Sequence, residues 1–275
     1  MQKSILITGC SSGIGYYCAK ALADEGYHVL ATARKKEDVE RLKSEGLTSF
    51  QLDLCDTQSI HRAVEWALQE TNHNLYALFN NGAYGQPGAV EDIPTDALRA
   101  QFEANFFGWH ELTCLLIPHL MGHESARIIQ NSSVLGFVAM PFRGAYNASK
   151  FAIEGLTDTL RLELKDTGVK VCLIEPGPIL SKFRKNALIA LKENIDIGNS
   201  RHEEGYRQAI ARLEKEGPSM AFTLGPEAVL SKLKHALESE HPKARYYVTV
   251  PTYLMGYLKR ILPTKMMDHI LGRSK

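Results

Sequence analysis

The chain has 275 residues, 44% of them hydrophobic, enough to bury one sizeable core. Its formal net charge is +1 with both signs interspersed, which argues against a nucleic-acid surface or a strongly polyanionic partner. Cys10, Cys18, Cys55, Cys114 and Cys172 show neither CxxC nor Cys/His metal spacing, so reduced thiols in a cytoplasmic setting are expected and no metal site is.

Ser4-Ile5-Leu6-Ile7-Thr8 reads as a buried strand running straight into Gly9-Cys10-Ser11-Ser12-Gly13-Ile14-Gly15 and an amphipathic helix. With so short an apolar run no signal peptide is expected. A strand, a glycine turn and a helix start form a phosphate cradle. Backbone N–H groups and the helix dipole attract an anion, and glycines let a pyrophosphate approach without meeting a Cβ. The spacing is G-x-x-x-G-x-G rather than the usual G-x-G-x-x-G. The same residues fit G-x-S-x-G, the nucleophile elbow of a serine hydrolase, with Ser11 acylated. That fold needs earlier strands and an oxyanion loop, and only eight residues precede Gly9.

Further strands are predicted at His28–Thr32, Ser49–Asp53, Tyr76–Asn80, Arg127–Ser132, Lys170–Glu175 and Tyr246–Val250. Helices fill the intervals, the longest at Thr95–Leu120 and Tyr146–Thr167. The alternation predicts an α/β fold: a single-domain, Rossmann-type doubly wound parallel sheet of about seven strands, with residues 1–180 as cofactor and catalytic core. The stretch 181–224 breaks it with helical pieces rich in Lys, Glu and Arg, and is expected to form a helical substrate lid over the carboxyl ends of the strands. No stretch is long enough to span a bilayer.

Tyr146 and Lys150 are four residues apart, on one helix face, and follow Ser133. A tyrosine near neutral pH needs a nearby cation before it exchanges protons readily, and Lys150 can supply that charge. A second pair at this spacing, Tyr16 and Lys20, reads as helix surface.

Together these residues resemble the short-chain dehydrogenase/reductase family, and within it the hydroxysteroid and retinol dehydrogenase branch. Thr8-Gly9-x-x-x-Gly13-x-Gly15 is similar to the family's cofactor turn, and Asp53, with Leu54 beside it, falls where a family aspartate binds adenine. Asn105-Phe106-Phe107-Gly108 resembles the segment with the catalytic asparagine. Ser133, Tyr146 and Lys150 match the serine, tyrosine and lysine, and Pro176 to Ser181 resembles the segment that meets the nicotinamide. One departure is Asn80-Asn81-Gly82-Ala83, where the family has Asn-Asn-Ala-Gly, so Ala83 carries a Cβ where a close approach to the cofactor ribose is expected.

The resemblance implies cofactor contacts from Gly9, Ser11, Ser12, Gly13, Ile14 and Gly15, from Arg34, Asp53 and Leu54, and from Asn81, Gly82 and Ala83. Tyr146, Lys150, Pro176, Gly177, Ile179 and Ser181 complete the implied set. Tyr146 would protonate the oxygen of a reduced carbonyl, with Ser133 as second donor. Lys150 would depress the tyrosine's pKa and hold ribose hydroxyls, and Asn105 would bind a water linking Lys150 to solvent. Singly, Ser133 also reads as a strand-end cap, Asn105 as a polar helix residue and Tyr146 as a helix start.

At the end of the second strand Ala33 occupies the family's acid position and Arg34 follows, so NADPH is expected over NADH, a 2′-phosphate seeking Arg. Tyr84, Phe137, Met140, Phe142 and Phe183 suggest an apolar aldehyde or ketone, or the corresponding alcohol, as substrate. The amphipathic C-terminal stretch 252–275 is expected to pack over the pocket or a partner subunit, with peripheral membrane contact as a further reading. The family commonly dimerises through the helices near Thr95 and Tyr146, which implies a homo-oligomer. A non-catalytic NADP-binding sensor would share the fold.

Overall fold

Each strand alternates between two apolar interiors, as period-2 geometry requires of a sheet covered on both faces. In a computed structural model, which describes residues 2–215, 217–218 and 220–272, β1 (Ser4–Ile7) turns Ile5 and Ile7 into one core and Leu6 into the other. β2 (His28–Ala33) divides Val29 and Ala31 from Leu30, and β4 (Ala77–Asn80) divides Ala77 and Phe79 from Leu78. With β3 (Thr48–Gln51), β5 (Ala126–Asn131), β6 (Val169–Glu175) and β7 (Arg245–Tyr247) they form one sheet in the order β3-β2-β1-β4-β5-β6-β7. All its pairings are parallel.

Helices α1 (Gly13–Asp24), α2 (Lys36–Ser44) and α9 (Glu227–Glu238) cover one face with Cys18, Leu22, Val39, Leu42 and Leu233. Helices α3 (Thr57–Glu70) and α5 (Gly108–Leu120) cover the other with Ile60, Val64, Leu112 and Leu116. The predicted doubly wound α/β sheet of seven strands is thus observed. Chain direction along the sheet reverses between β1 and β4, and ligands in such sheets bind in the crevice opened there.

The predicted helix at 95–120 is interrupted. α4 (Thr95–Phe102) leads into a π-helical turn at Glu103–Phe107, and α5 begins at Gly108. Gly108 lies against the backbone of Leu54, whose carbonyl oxygen would be 2.0 Å from an added Cβ. The widened turn takes up one residue more than an α-turn and buries Asn105 completely. α6 runs Gly144–Glu163 rather than 146–167. The last strand stops at Tyr247 instead of Val250, because Val250 opens α10 (Val250–Ile261), with Pro251 in its first turn where a missing N–H costs nothing.

The stretch 181–224 forms α7 (Phe183–Asn194) and α8 (Glu203–Glu214); its Glu216 and Ser219 lie outside the described residues. Its two ends meet. Leu180 N–H donates to Leu224 O at 2.9 Å and Leu224 N–H to Pro178 O at 3.1 Å. Tyr206 fixes α8 to the loop after β4, its hydroxyl donating to Asp92 at 2.7 Å and accepting from Ala89 N–H at 2.9 Å.

In the C-terminal stretch α10 and α11 (Thr264–Gly272) pack Met255, Leu258, Met267 and Leu271 against Leu135, Val138, Met140 and Tyr146. Residues 273–275 of that predicted tail, and Met1, lie outside the described residues. Among the described residues no helix is long and apolar enough to cross a membrane.

Two glycine substitutions should separate packing from propensity in urea unfolding. Gly108→Ala is expected to lose about 1–3 kcal/mol, since the Leu54 backbone cannot yield to a methyl group cheaply. Gly155→Ala in α6, where an added Cβ meets nothing within 4 Å, should gain about 0.5–1 kcal/mol.

Candidate active site

The crevice begins where β1 ends. Gly9 has φ +71° and Gly13 φ +60°, a region that L side chains avoid. A Cβ on Gly9 would lie 2.4 Å from the Cα of Gly82, so the turns after β1 and β4 touch backbone to backbone. Ser12 precedes α1 without a side-chain cap, which leaves the first-turn N–H groups directed at the turn. Gly15 serves that packing. A Cβ there would meet Gly9 O at 2.4 Å and Asn81 Nδ2 at 2.6 Å, and the residue does not line the cavity.

Hydrogen bonds tie the neighbouring strand ends together. Thr8 Oγ1 accepts the N–H groups of Asn81 and Gly82, both at 2.8 Å, and Asn81 Nδ2 donates to Thr8 O at 3.0 Å. Asn131 Nδ2 donates to Asn81 Oδ1 at 2.8 Å, and Lys150 Nζ donates to Asn131 O at 2.8 Å. The Lys150 ammonium is 1% exposed and lies 4.3 Å from the centre of the Trp109 ring. The Trp109 indole N–H in turn donates to Gly82 O at 2.8 Å.

These elements enclose a cavity of about 430 Å³. Of the sequence-predicted residues, Gly9, Ser11, Ser12, Gly13, Ile14, Asn81, Gly82, Ala83, Ser133, Tyr146 and Lys150 line it, as do Pro176, Gly177, Ile179 and Ser181. Ser181 packs on Gly13, where an added Cβ would be 3.0 Å from its own. Arg34, Asp53 and Leu54 stand outside the lining. Arg34 is exposed directly after β2, and Asp53 Oδ1 accepts the Cys55 N–H at 3.0 Å. Leu54 packs with Ala83 on the Trp109 cluster. Gly82, one residue before Ala83, lies against the backbone of Gly9. Met140, Phe142 and Phe183 line the cavity, whereas Tyr84 and Phe137 do not; Phe137 stacks on Tyr247 at 5.6 Å.

Asn105 does not reach the cavity. Its Oδ1 accepts the Tyr84 N–H at 3.1 Å and its Nδ2 donates to Tyr84 O at 2.9 Å, so the side-chain amide is spent on the loop after β4.

Burial dominates the electrostatics. Desolvation raises the Tyr146 phenol to about 12, opposed by the Ser133 hydroxyl and by the charge of Arg143. Burial pulls the Lys150 ammonium down to about 7, opposed by Glu154 one turn along α6. Lys150 Nζ, bonded to Asn131 O, lies 5.7 Å from the centre of the Tyr146 ring. Tyr16 and Lys20 lie half-buried on α1, away from the cavity. Tyr16 bonds to Glu45 and Lys20 Nζ donates to Glu45 O at 2.9 Å. Ser11 has no catalytic base nearby, since no histidine lines the cavity, and the hydrolase reading fails on that geometry.

Trp109, Asn131, Arg143 and Arg212 are site residues that motif reading missed. Trp109 carried a signal, being four residues after Asn105 and so on the same helix face. Arg143 had another, with no acidic residue within four positions in the sequence. Asn131 acts through its backbone carbonyl as well as its side chain, and nothing in the sequence marks such a carbonyl.

The family model for short chain dehydrogenases matches residues 3–191. The chain is 45% identical over 271 residues to an uncharacterized oxidoreductase, YbbO, of Escherichia coli, covering 98% of this chain and 94% of that protein. It is 32% identical over 284 residues to bovine 17-beta-hydroxysteroid dehydrogenase type 6, covering 99% and 89%. A short chain dehydrogenase/reductase of Burkholderia phymatum, solved in complex with NAD, superposes with a TM-score of 0.78 at 22% identity, covering 98% of this chain and 95% of that one. A seven-stranded parallel sheet with a glycine turn after β1 and Tyr146 and Lys150 on one face of α6, matched by that family model over most of its length, places this chain in the short-chain dehydrogenase/reductase family of oxidoreductases.

Proposed function

We propose that the protein is an NADP(H)-dependent oxidoreductase interconverting an apolar aldehyde or ketone and its alcohol. The observation that carries this reading is the meeting of Ser133, Tyr146 and Lys150 on the wall of one largely apolar cavity.

The glycine turn fits a dinucleotide. At Gly9 and Gly13 a side chain would be strained, and the α1 N–H groups lack a side-chain partner. Gly9, Ser11, Ser12, Gly13 and Ile14 would hold a pyrophosphate. Asn81, Gly82 and Ala83 would border the adjoining ribose, and Pro176, Gly177, Ile179 and Ser181 the nicotinamide end. Asp53 and Leu54 would flank the adenine. When bound, the cofactor supplies or accepts the hydride at the substrate carbon.

The chain's own residues handle the oxygen. Charge developing there is stabilised by the Ser133 hydroxyl and the Tyr146 phenol, and Tyr146 transfers its proton. Lys150 holds its ammonium beneath the tyrosine, ready to repel or return a proton as its charge changes. Asn105 acts by position, fixing Tyr84 and the π-turn that sets Trp109 against Lys150. The exposed guanidinium of Arg34, following buried Ala33 with no acid at that position, supports recognition of a 2′-phosphate. Helices α7 and α8 serve as the substrate lid. Exposed Phe151, Leu156 and Leu162 on α6 support a homo-oligomer built on that helix.

Turnover is read by loss of NADPH absorbance with a panel of aldehydes and ketones. Tyr146→Phe is expected to lower kcat by about 10²–10⁴-fold, and an unchanged rate would refute the proton-donor role. Arg34→Ala should raise the KM for NADPH more than that for NADH; equal changes would remove the cofactor assignment. Because burial raises the phenol to about 12, its proton is retained through neutral pH. Alcohol oxidation, which needs the phenolate, should accelerate from about pH 7 to about pH 10 while carbonyl reduction does not, and parallel profiles would exclude Tyr146 as the titrating group.

A further inference from the structure

Three guanidinium groups, those of Arg143, Arg184 and Arg212, line the cavity without a carboxylate partner among the described residues. Arg143 immediately precedes α6 and lies three residues before Tyr146. It is half-buried, and the contact its side chain makes is with Met140 sulfur at 4.0 Å. Arg212 on α8 is also half-buried and lines the cavity from the opposite, lid side. Neither has an acidic partner among the described residues, and no aspartate or glutamate lines the cavity.

Several arginines elsewhere in the chain have carboxylate partners. Arg41 bonds Glu45 at 3.0 Å, Arg201 bonds Glu91 and Arg207 bonds Glu203 at 2.7 Å. The more deeply placed Arg245 bonds Glu175 at 2.6 Å. Arg184, also on the cavity wall, is committed to the end of α8, donating to Lys215 O at 2.8 Å. Burial pushes the Arg143 group down to about 10, helped by the charge of Arg212, and burial lowers Arg212 as well. Holding two like charges half out of water, close enough to oppose each other, costs stability unless an anion offsets it.

The position of the pair sets what that anion belongs to. Arg143 sits beside Tyr146 and joins Gly88 through an isolated parallel bridge, on the substrate side of the crevice. The glycine turn and Arg34 lie toward the other end of the sheet, after β1 and β2. Met140, Leu213 and Met255 line the cavity around the arginines and present apolar surface.

We infer that the substrate is an amphipathic oxo acid, or the corresponding hydroxy acid, whose apolar chain lies along Met140, Leu213 and Met255 and whose carboxylate is bound between Arg143 and Arg212. This specificity rests on the oxidoreductase reading above and adds an anionic group to its substrate class. Charge-assisted, two-point recognition by guanidinium is the strongest hydrogen bonding a protein offers a carboxylate. It also orients the chain relative to Tyr146, which apolar contacts alone do not.

The test compares 9-oxononanoate with its methyl ester, using NADPH, in the wild type and in Arg143→Gln, Arg212→Gln and Arg212→Lys. The acid should exceed the ester in kcat/KM by roughly tenfold or more. That ratio should fall toward one in either Gln variant, chiefly through KM for the acid, and recover in part in Arg212→Lys. Equal kcat/KM for acid and ester in the wild type, or a ratio that neither Gln variant moves, would overturn the inference while leaving carbonyl reduction standing. If no carbonyl compound is turned over, the functional reading fails and calorimetry decides the anion site alone. Nonanoate should then bind the wild type roughly tenfold or more tighter than nonanol does, with the difference lost in Arg212→Gln. Equal binding of the two would remove the site.

Discussion

Burial of the Lys150 ammonium is the constraint on which the rest of the site depends. A cation at 1% exposure is costly unless its surroundings compensate. The compensation comes from the carbonyl of Asn131 and the face of Trp109. Asn131 is held by Asn81, Asn81 by Thr8, and Trp109 by Gly82, so one charge on α6 ties together the carboxyl ends of β1, β4 and β5. The same helix face continues to Glu154 and Asp158, which with Glu175 surround Arg245 from the edge strand β7. Tyr146, Lys150, Glu154 and Asp158 thus form a single i, i+4 series, running from the cavity to the sheet edge. The orientation of Tyr146 is set by a helix locked at both ends of that series.

The second constraint is steric. The turns after β1 and β4 are adjacent because the sheet order reverses there, and they come within backbone contact because Gly9 and Gly82 both lack a Cβ. The topology creates the crevice, and the glycines decide how near its two walls stand. Gly13 against Ser181 repeats the device on the third wall, bringing the segment after β6 over the start of α1.

Much of this was legible from residues alone. The strands read clearly because fully covered strands show short apolar, β-branched runs, and all seven fell within a few residues of their predicted spans. The glycine turn and the Ser133, Tyr146 and Lys150 set are local patterns with fixed spacing, and their shared cavity follows from parallel strand order. What escaped was whatever depends on one side chain meeting a distant backbone. The π-turn at Glu103–Phe107 reflects Gly108 against Leu54, which helical periodicity does not encode. The contact of Gly82 with Gly9 joins residues far apart in sequence, so no local pattern reveals it. Asn105 pairs its amide with the Tyr84 backbone, a partner that helical periodicity does not reveal. The burial that raises the Tyr146 phenol and lowers the Lys150 ammonium depends on packing around α6, which the spacing of the two residues does not encode.

The paired ends of the stretch 181–224 have a consequence for how such a protein diversifies. Pro178, Leu180 and Leu224 close the neck of that stretch with backbone hydrogen bonds, which do not depend on which side chains are present. Mutation, lengthening or recombination within the loop can therefore alter the part of the cavity wall contributed by α7 and α8 while strand register and the placement of Ser133, Tyr146 and Lys150 stay fixed. That part of the cavity wall is separable from the strands that carry the rest of it.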